Sequence, residues 1–321
     1  MRGIKGAALG LAAVLLGLSG CAGAPAAGAQ RSVALIAKST QTEFWLSVFA
    51  GAEAAAAEYN LELTTMGPAA EEDYEAQNQM IAGAVADGAE ALVFSAINFT
   101  ENAPAVDAAA QAGVKVVSID SGVDSAQVGA YIGTDNYAAG RMAAQAALEH
   151  VEGELVVGLV NYDESTANGQ ERERGARDAL AESGRARVAA SVTTLVEAGR
   201  AQADTAALLE QNPEVNVLIA FNEPTSVGAA RAVDELGLEE AVFLVGFDSN
   251  VATVDGLQTG SVDALIVQNP YAMGYLGVES AYKLLSGQGG ELAPTVDTST
   301  QIVSRGNLFA LDSQKALFAF E

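Results

Sequence analysis

The sequence predicts an α/β protein built as two doubly wound, parallel-sheet lobes, and three observations predict it. Short β-branched apolar runs alternate with helical patterns along nearly the whole chain, the order that gives parallel strands joined by right-handed crossovers. Two of those runs echo each other: Val114-Lys115-Val116-Val117-Ser118-Ile119-Asp120-Ser121 and Val242-Phe243-Leu244-Val245-Gly246-Phe247-Asp248-Ser249 both end abruptly in Asp-Ser. The length of 321 residues, half of them hydrophobic and 18% charged, is enough for two cores and far from the composition of a disordered chain.

Taken in order, the first series reads as strand 32–38, helix 44–58, strand 61–66, helix 71–87, strand 91–95, helix 101–112, the strand ending at Asp120, and a short strand 128–132. The second reads as helix 137–151, strand 155–160, helix 170–183, strand 187–193, helix 200–211, strand 215–221, helix 225–236 and strand 242–247. From 262 come a strand to 268, a break at Asn269-Pro270, a helix 271–285, a glycine-rich turn, and strand-like or irregular segments. A lone strand–helix unit makes no domain of its own, so this part completes the earlier lobes. Pro270 cannot continue a central ladder and marks a crossing between them.

Residues 1–20 read as a secretory leader: Arg2 and Lys5, then an apolar run too short for a permanent span. Leu18-Ser19-Gly20-Cys21 resembles the bacterial lipobox, which implies that Cys21 is acylated and that the protein is extracytoplasmic, held on the bacterial cell membrane by lipid alone. Cys21 is the only cysteine, so no internal disulfide is available. Residues 21–31, small and flexible, form a tether. The formal charge of −25 argues against nucleic acid and anionic lipid as partners and suits neutral or cationic ligands.

In open α/β sheets a ligand sits at the carboxyl ends of the strands, which is where Asp120 and Asp248 stand. Two residues placed alike in two halves suggest two lobes facing one ligand. The alternative is that each Asp caps the following helix.

The motifs now become specific: Phe44-Trp45, Ile119-Asp120-Ser121, Gly133-Thr134-Asp135-Asn136, Arg172-Glu173-Arg174-Gly175, Phe221-Asn222-Glu223, Gly246-Phe247-Asp248 and Val267-Gln268-Asn269-Pro270, in that order. Over about 32–303 the chain resembles the type I periplasmic binding proteins, in the ribose-binding-protein-like branch that serves sugar ABC transporters. The resemblance implies lobes joined by three crossings near Thr134, Gln268 and Thr300. Lobe one would be 32–134 with 269–299, and lobe two 135–268 with 300–321. It further implies a hinge closure on the ligand, a closed form recognised by an ABC transporter permease, a monomer, and no cofactor or metal.

The positions matching the family's binding residues make chemical sense for a sugar or related polyol. Asp120 and Asp248 accept hydroxyl hydrogens, Arg172 donates a planar fork, and Asn222 and Gln268 donate and accept together. Phe44 and Trp45 offer faces to the sugar's C–H groups, the alternative being core packing beneath the first helix. Alanine at Asp120, Arg172 or Asp248 is expected to weaken binding while folding changes little. Two departures put ribose itself in doubt. Ser121 stands where ribose binders have Arg. Lys38 stands at the end of strand one, where a branch that binds furanose signal molecules has a Lys; the alternative for Lys38 is a solvated strand end.

Catalysis is not expected. His150 is the sole histidine, in a polar helix end, and with Cys21 committed to lipid neither nucleophilic Cys-His or Ser-His chemistry nor a histidine-rich metal site is available. A carboxylate-pair hydrolase from Asp120 and Asp248 stays open on residues alone. The lactose-repressor-type regulators share the fold but carry a helix-turn-helix where this chain has a leader. A sensor that presents its closed form to a membrane kinase or chemoreceptor is not separated from a transporter by sequence.

Overall fold

The computed structural model describes residues 30–318. The expected leader and the expected lipidation site at Cys21 lie outside the described residues. The first sheet holds β1 (Arg31–Ile36), β2 (Leu61–Met66), β3 (Ala91–Phe94), β4 (Lys115–Ile119), β5 (Val128–Gly133) and β11 (Thr295–Asp297), in the order β11-β5-β4-β3-β1-β2. The second holds β6 (Leu155–Asn161), β7 (Ala186–Thr193), β8 (Val217–Ala220), β9 (Phe243–Phe247), β10 (Ala264–Val267) and β12 (Gln301–Ser304), in the order β12-β10-β9-β8-β6-β7. Pairing is parallel except for β12 against β10. Central strands such as β8 and β10 are buried at every position, as strands covered by helices on both faces must be.

The helices follow in chain order. Those packed on the first sheet are α1 (Glu43–Tyr59), α2 (Tyr74–Ala86), α3 (Ala103–Gln111) and α9 (Pro270–Leu285); those on the second are α4 (Asn136–His150), α5 (Ala167–Ser183), α6 (Ala198–Gln211), α7 (Glu223–Leu236), α8 (Val251–Thr259) and α10 (Leu311–Leu317). The chain therefore passes between the sheets three times: between β5 and α4, between β10 and α9, and between β11 and β12. The passages are tied together. The N–H of Thr298 donates to the carbonyl of Gly133 at 2.7 Å, the N–H of Asp135 to Asp297 at 3.1 Å, and the hydroxyl of Thr134 to Gln268 Oε1 at 2.9 Å.

Two elements were not expected from sequence. The segment after β9, to which the sequence reading assigned no element, is α8, started by a capping box in which Asn250 and Thr253 each bind the other's backbone N–H. The C-terminal segment read as strand-like or irregular contains α10 beside β12.

Each lobe also holds one helix pair at unusually close range. A Cβ on Gly274 of α9 would stand 1.9 Å from the carbonyl oxygen of Val48 in α1, and one on Gly51 of α1 would stand 2.1 Å from that of Tyr271. In the other lobe, a Cβ added to Gly140 of α4 or Gly175 of α5 would stand 1.9 or 2.1 Å from the carbonyl oxygens of Arg172 and Tyr137 respectively. Only glycine allows backbones this close. These pairs set the heights of α1 and α5, which carry Phe44, Trp45 and Arg172.

Candidate ligand-binding cleft

Both sheets reverse strand order beside the first strand of their lobe, and the carboxyl ends at those switch points face each other. Lys38, Asp120, Tyr162, Asn222, Asp248 and Gln268 follow β1, β4, β6, β8, β9 and β10 within two residues. With Thr42, Phe44, Trp45, Glu71, Asn168, Arg172, Glu223 and Pro224 they line a cavity with only about 30 Å³ of free space, well below the volume of an open ligand pocket. A larger, mostly apolar groove between α1, α8 and α10 shares Phe44, Asp248 and Gln268 with it.

Eight of the nine positions expected to touch ligand meet here. The exception is Ser121, which is fully buried, does not line the cavity, and has a hydroxyl with no hydrogen-bond partner. Its carbonyl instead accepts from Ser118 Oγ and from the N–H of Ala96, locking the turn after β4.

Neither Asp120 nor Asp248 caps a helix. Both adopt the left-handed backbone region, at φ 55° and 67°, which is costly for a residue with a Cβ and is tolerated best by Asp and Asn. The matching turns aim two carboxylates into one cavity from opposite lobes. Asp120 accepts from Ser95 Oγ at 2.9 Å and from Asn168 Nδ2 at 3.2 and 3.3 Å, with Lys38 Nζ at 3.7 Å. Lys38 is 2% exposed and donates to Asn168 Oδ1 at 3.1 Å, so it is no solvated strand end. Asn168 Oδ1 also accepts from Tyr162 at 2.8 Å. Lys38 and Asp120 come from the first lobe and Asn168 and Tyr162 from the second, so this cluster joins the two.

Arg172 is 1% exposed. Its Nε donates to Asn136 Oδ1 at 2.8 Å, one terminal nitrogen to the carbonyl of Phe221 at 2.8 Å and the other to Gln268 Oε1 at 2.7 Å, over the ring of Phe247 at 4.7 Å. Three of its five donors are thus committed to protein, leaving two for a ligand. Gln268 Nε2 in turn donates to Asp248 at 2.6 Å. One glutamine therefore links the crossing at Thr134, the guanidinium and the second-lobe carboxylate. Asn222 is more restricted than the sequence suggested. Its Oδ1 caps α7 by accepting from Thr225 N at 3.0 Å and Thr225 Oγ1 at 2.7 Å, which leaves its NH2 for a ligand.

Phe44 and Trp45 both line the cavity and belong to the first lobe's core, so the two readings of them are compatible. Their rings meet edge-to-face at 5.0 Å, and Trp45 Nε1 donates to Glu71 at 2.8 Å. Thr42, Glu71, Tyr162, Asn168, Glu223 and Pro224 are the lining residues sequence reasoning did not single out for a role. Glu223 stood inside a quoted motif; the others fall in loops or at helix starts without a spacing signal.

The expectation that alanine here leaves folding unchanged is overturned by burial. Asp120 and Asp248 are 4% and 6% exposed, and each holds partners that would be orphaned. Burial pushes the Asp248 carboxyl up to about 7, against the pull of Arg172 and Gln268, and does the same to half-buried Glu71, against Lys38 and Trp45. A carboxyl raised this way favours the fold while protonated. That contribution is complete below the ordinary value near 4 and is lost as pH rises through about 7. The protein should therefore melt higher at pH 6 than at pH 8, by roughly 2–4 °C for Asp248 alone. Asp248→Asn should flatten the profile. A melting temperature that rises over this interval in both proteins would contradict the assignment.

Comparison with known proteins bears on this geometry. The sequence model of the periplasmic binding protein domain matches residues 33–289. The D-ribose/D-allose-binding protein of Pseudomonas aeruginosa is 30% identical over 265 residues, covering 80% of this chain and 82% of its own. The ribose import binding protein RbsB of Haemophilus influenzae is 28% identical over 285 residues, covering 89% and 95%. Among solved structures, a carbohydrate transporter solute-binding protein from Agrobacterium radiobacter in complex with D-arabinose superposes with a TM-score of 0.87 at 28% identity, covering 90% of this chain and 99% of the other. An ABC transporter solute-binding protein from Agrobacterium vitis with bound D-fucose gives 0.86 at 28%, covering 89% and 99%. The fold, the switch-point cavity and these matches agree: the chain belongs to the periplasmic binding protein family, in its ribose-binding-like type I branch.

Proposed function

We propose that this protein is an extracytoplasmic, lipid-anchored solute-binding protein. It captures a monosaccharide-sized neutral sugar between its two lobes, as a monomer without a cofactor, and delivers it to an ABC transporter permease. The observation that carries the reading is the cluster of groups itself: two opposed carboxylates, a guanidinium with two donors to spare, an amide NH2 and two aromatics, brought from both lobes to one cavity. Alternating acceptors and donors beside ring faces suit a compact polyhydroxylated ring. Lys38 and Arg172 stand there against four carboxyl groups, of which burial raises Glu71, Glu223 and Asp248 toward the neutral form, which disfavours an anionic ligand. Relatives named for ribose and allose, and structures holding D-arabinose and D-fucose, support the sugar class. Binding requires no covalent step, so no catalytic role is assigned to Asp120 or Asp248. Lipid anchoring rests on Leu18-Ser19-Gly20-Cys21.

A panel of D-ribose, D-allose, D-arabinose, D-fucose and common hexoses and polyols, followed by melting temperature and solution scattering, tests this. At least one sugar at 100 times its Kd should stabilise the protein by about 2.7 kcal/mol and reduce the radius of gyration. No response to any of them would remove the sugar reading. Cys21→Ser should release the protein from membranes into the soluble fraction; unchanged membrane association without an acylated N-terminus would remove the anchor.

A further inference from the structure

Helices that open onto the cavity differ in how their first turns are satisfied. α7 and α8 each begin with a complete capping box, Asn222 with Thr225 and Asn250 with Thr253. α1 has one long cap of its own, Thr42 Oγ1 accepting from Trp45 N at 3.4 Å. Its two preceding N–H groups are served from the other lobe. Phe44 N donates to Glu223 Oε2 at 3.0 Å and Glu43 N to Glu223 Oε1 at 3.4 Å. Glu223 is the first residue of α7, is 8% exposed, and is oriented by Asn250 Nδ2, which donates to Oε1 at 3.0 Å. Since Asn222 and Thr225 already cap α7, the Glu223 carboxylate is not needed by its own helix. At the start of α1 it satisfies two otherwise unpaired N–H groups and meets the positive end of the helix.

We propose that Glu223 is a positioning residue for capture: it completes the N-terminal cap of α1 across the cleft and thereby holds Phe44 against the ligand while the lobes are together. This rests on the two-lobed capture reading above. Parting the lobes surrenders both hydrogen bonds to water, so the contact opposes release without affecting entry. Glu43, the charged neighbour on α1, repels Glu223, and burial raises the Glu223 carboxyl. The latch is therefore adjustable and not permanent, as reversible capture requires.

Glu223→Ala and Glu223→Gln in the full chain test this with D-ribose, D-allose, D-arabinose and D-fucose. For any sugar that binds, Glu223→Ala should raise the release rate about tenfold or more, with association nearly unchanged and the sugar-free melting temperature lowered, because Phe44 N, Glu43 N and Asn250 Nδ2 lose their acceptor. Glu223→Gln, which keeps one acceptor oxygen, should fall between. A merely structural role predicts the lower melting temperature with an unchanged release rate. Amide exchange at Glu43 and Phe44 supplies a readout that does not depend on identifying the ligand: these amides should be protected in the unsubstituted protein and lose protection in Glu223→Ala. Protection lost on substitution, in a protein that binds none of the sugars, would uphold the contact and reject the sugar. Amides equally exposed in both proteins, or equal release rates, would overturn the proposal whatever the sugar result.

Discussion

Arg172→Ala should remove measurable sugar binding and destabilise the protein by about 3–5 kcal/mol, the usual result of deleting one member of a buried charged network. The cause lies in what the guanidinium holds. Asn136 Oδ1, the Phe221 carbonyl and Gln268 Oε1 all lose their donor, and the buried Asp248 carboxyl loses the charge that restrains its rise. Two ligand-facing donors disappear as well, so affinity should fall by about two decades or more. Arg172→Lys keeps the charge but cannot direct three bonds along fixed lines. It should fold with a smaller loss and still bind at least about tenfold more weakly. Urea unfolding and calorimetry on both variants decide it. An alanine variant that binds normally would mean that the two spare donors serve no ligand.

The second large effect concerns a residue that touches no ligand. Gly274→Ala should destabilise by about 3 kcal/mol, at the upper end of overpacking costs, because the new Cβ would stand 1.9 Å from the Val48 carbonyl oxygen. Backbone cannot rotate aside as a side chain can. α1 must lift from α9, and Phe44 and Trp45 move with it, so affinity should fall together with stability. Gly83→Ala is the matched control: it too is helical, but its Cβ would meet nothing within 4 Å. There the change should be neutral or stabilising by about 0.5–1 kcal/mol. Equal melting temperatures for the two variants would show that the α1–α9 crossing has slack.

The central strands were legible because each is a buried apolar run. Asp120, Asp248 and Gln268 were legible because a polar residue that ends such a run has few structural uses. α8 was not. Its residues Val251-Ala252-Thr253-Val254-Asp255-Gly256-Leu257-Gln258-Thr259 include four β-branched side chains and a glycine, a composition weak in helix propensity. The Asn250 capping box and burial of Val254 and Leu257 supply what composition lacks. Asn168 escaped for a different reason. Its partners Lys38 and Asp120 lie 130 and 48 residues away, and no spacing rule reaches across two lobes. Ser121 was singled out because it stands where ribose binders have Arg, yet its short side chain is buried outside the cavity. The left-handed turn at Asp120 sends the two side chains apart.

That turn also limits what this pocket can become. With φ at 55° and 67°, positions 120 and 248 exclude β-branched and bulky side chains on backbone grounds alone and accept little besides Asp, Asn and Gly. A lineage or a designer seeking a different solute cannot place a large contact at either point. New specificity has to be written in the residues around them, Lys38, Glu71, Tyr162 and Asn168, where the backbone imposes no such alphabet. Diversity in solute among proteins of this architecture should then concentrate at those four places. A randomised library confined to them should yield folded variants with altered sugar preference far more often than one confined to 120 and 248.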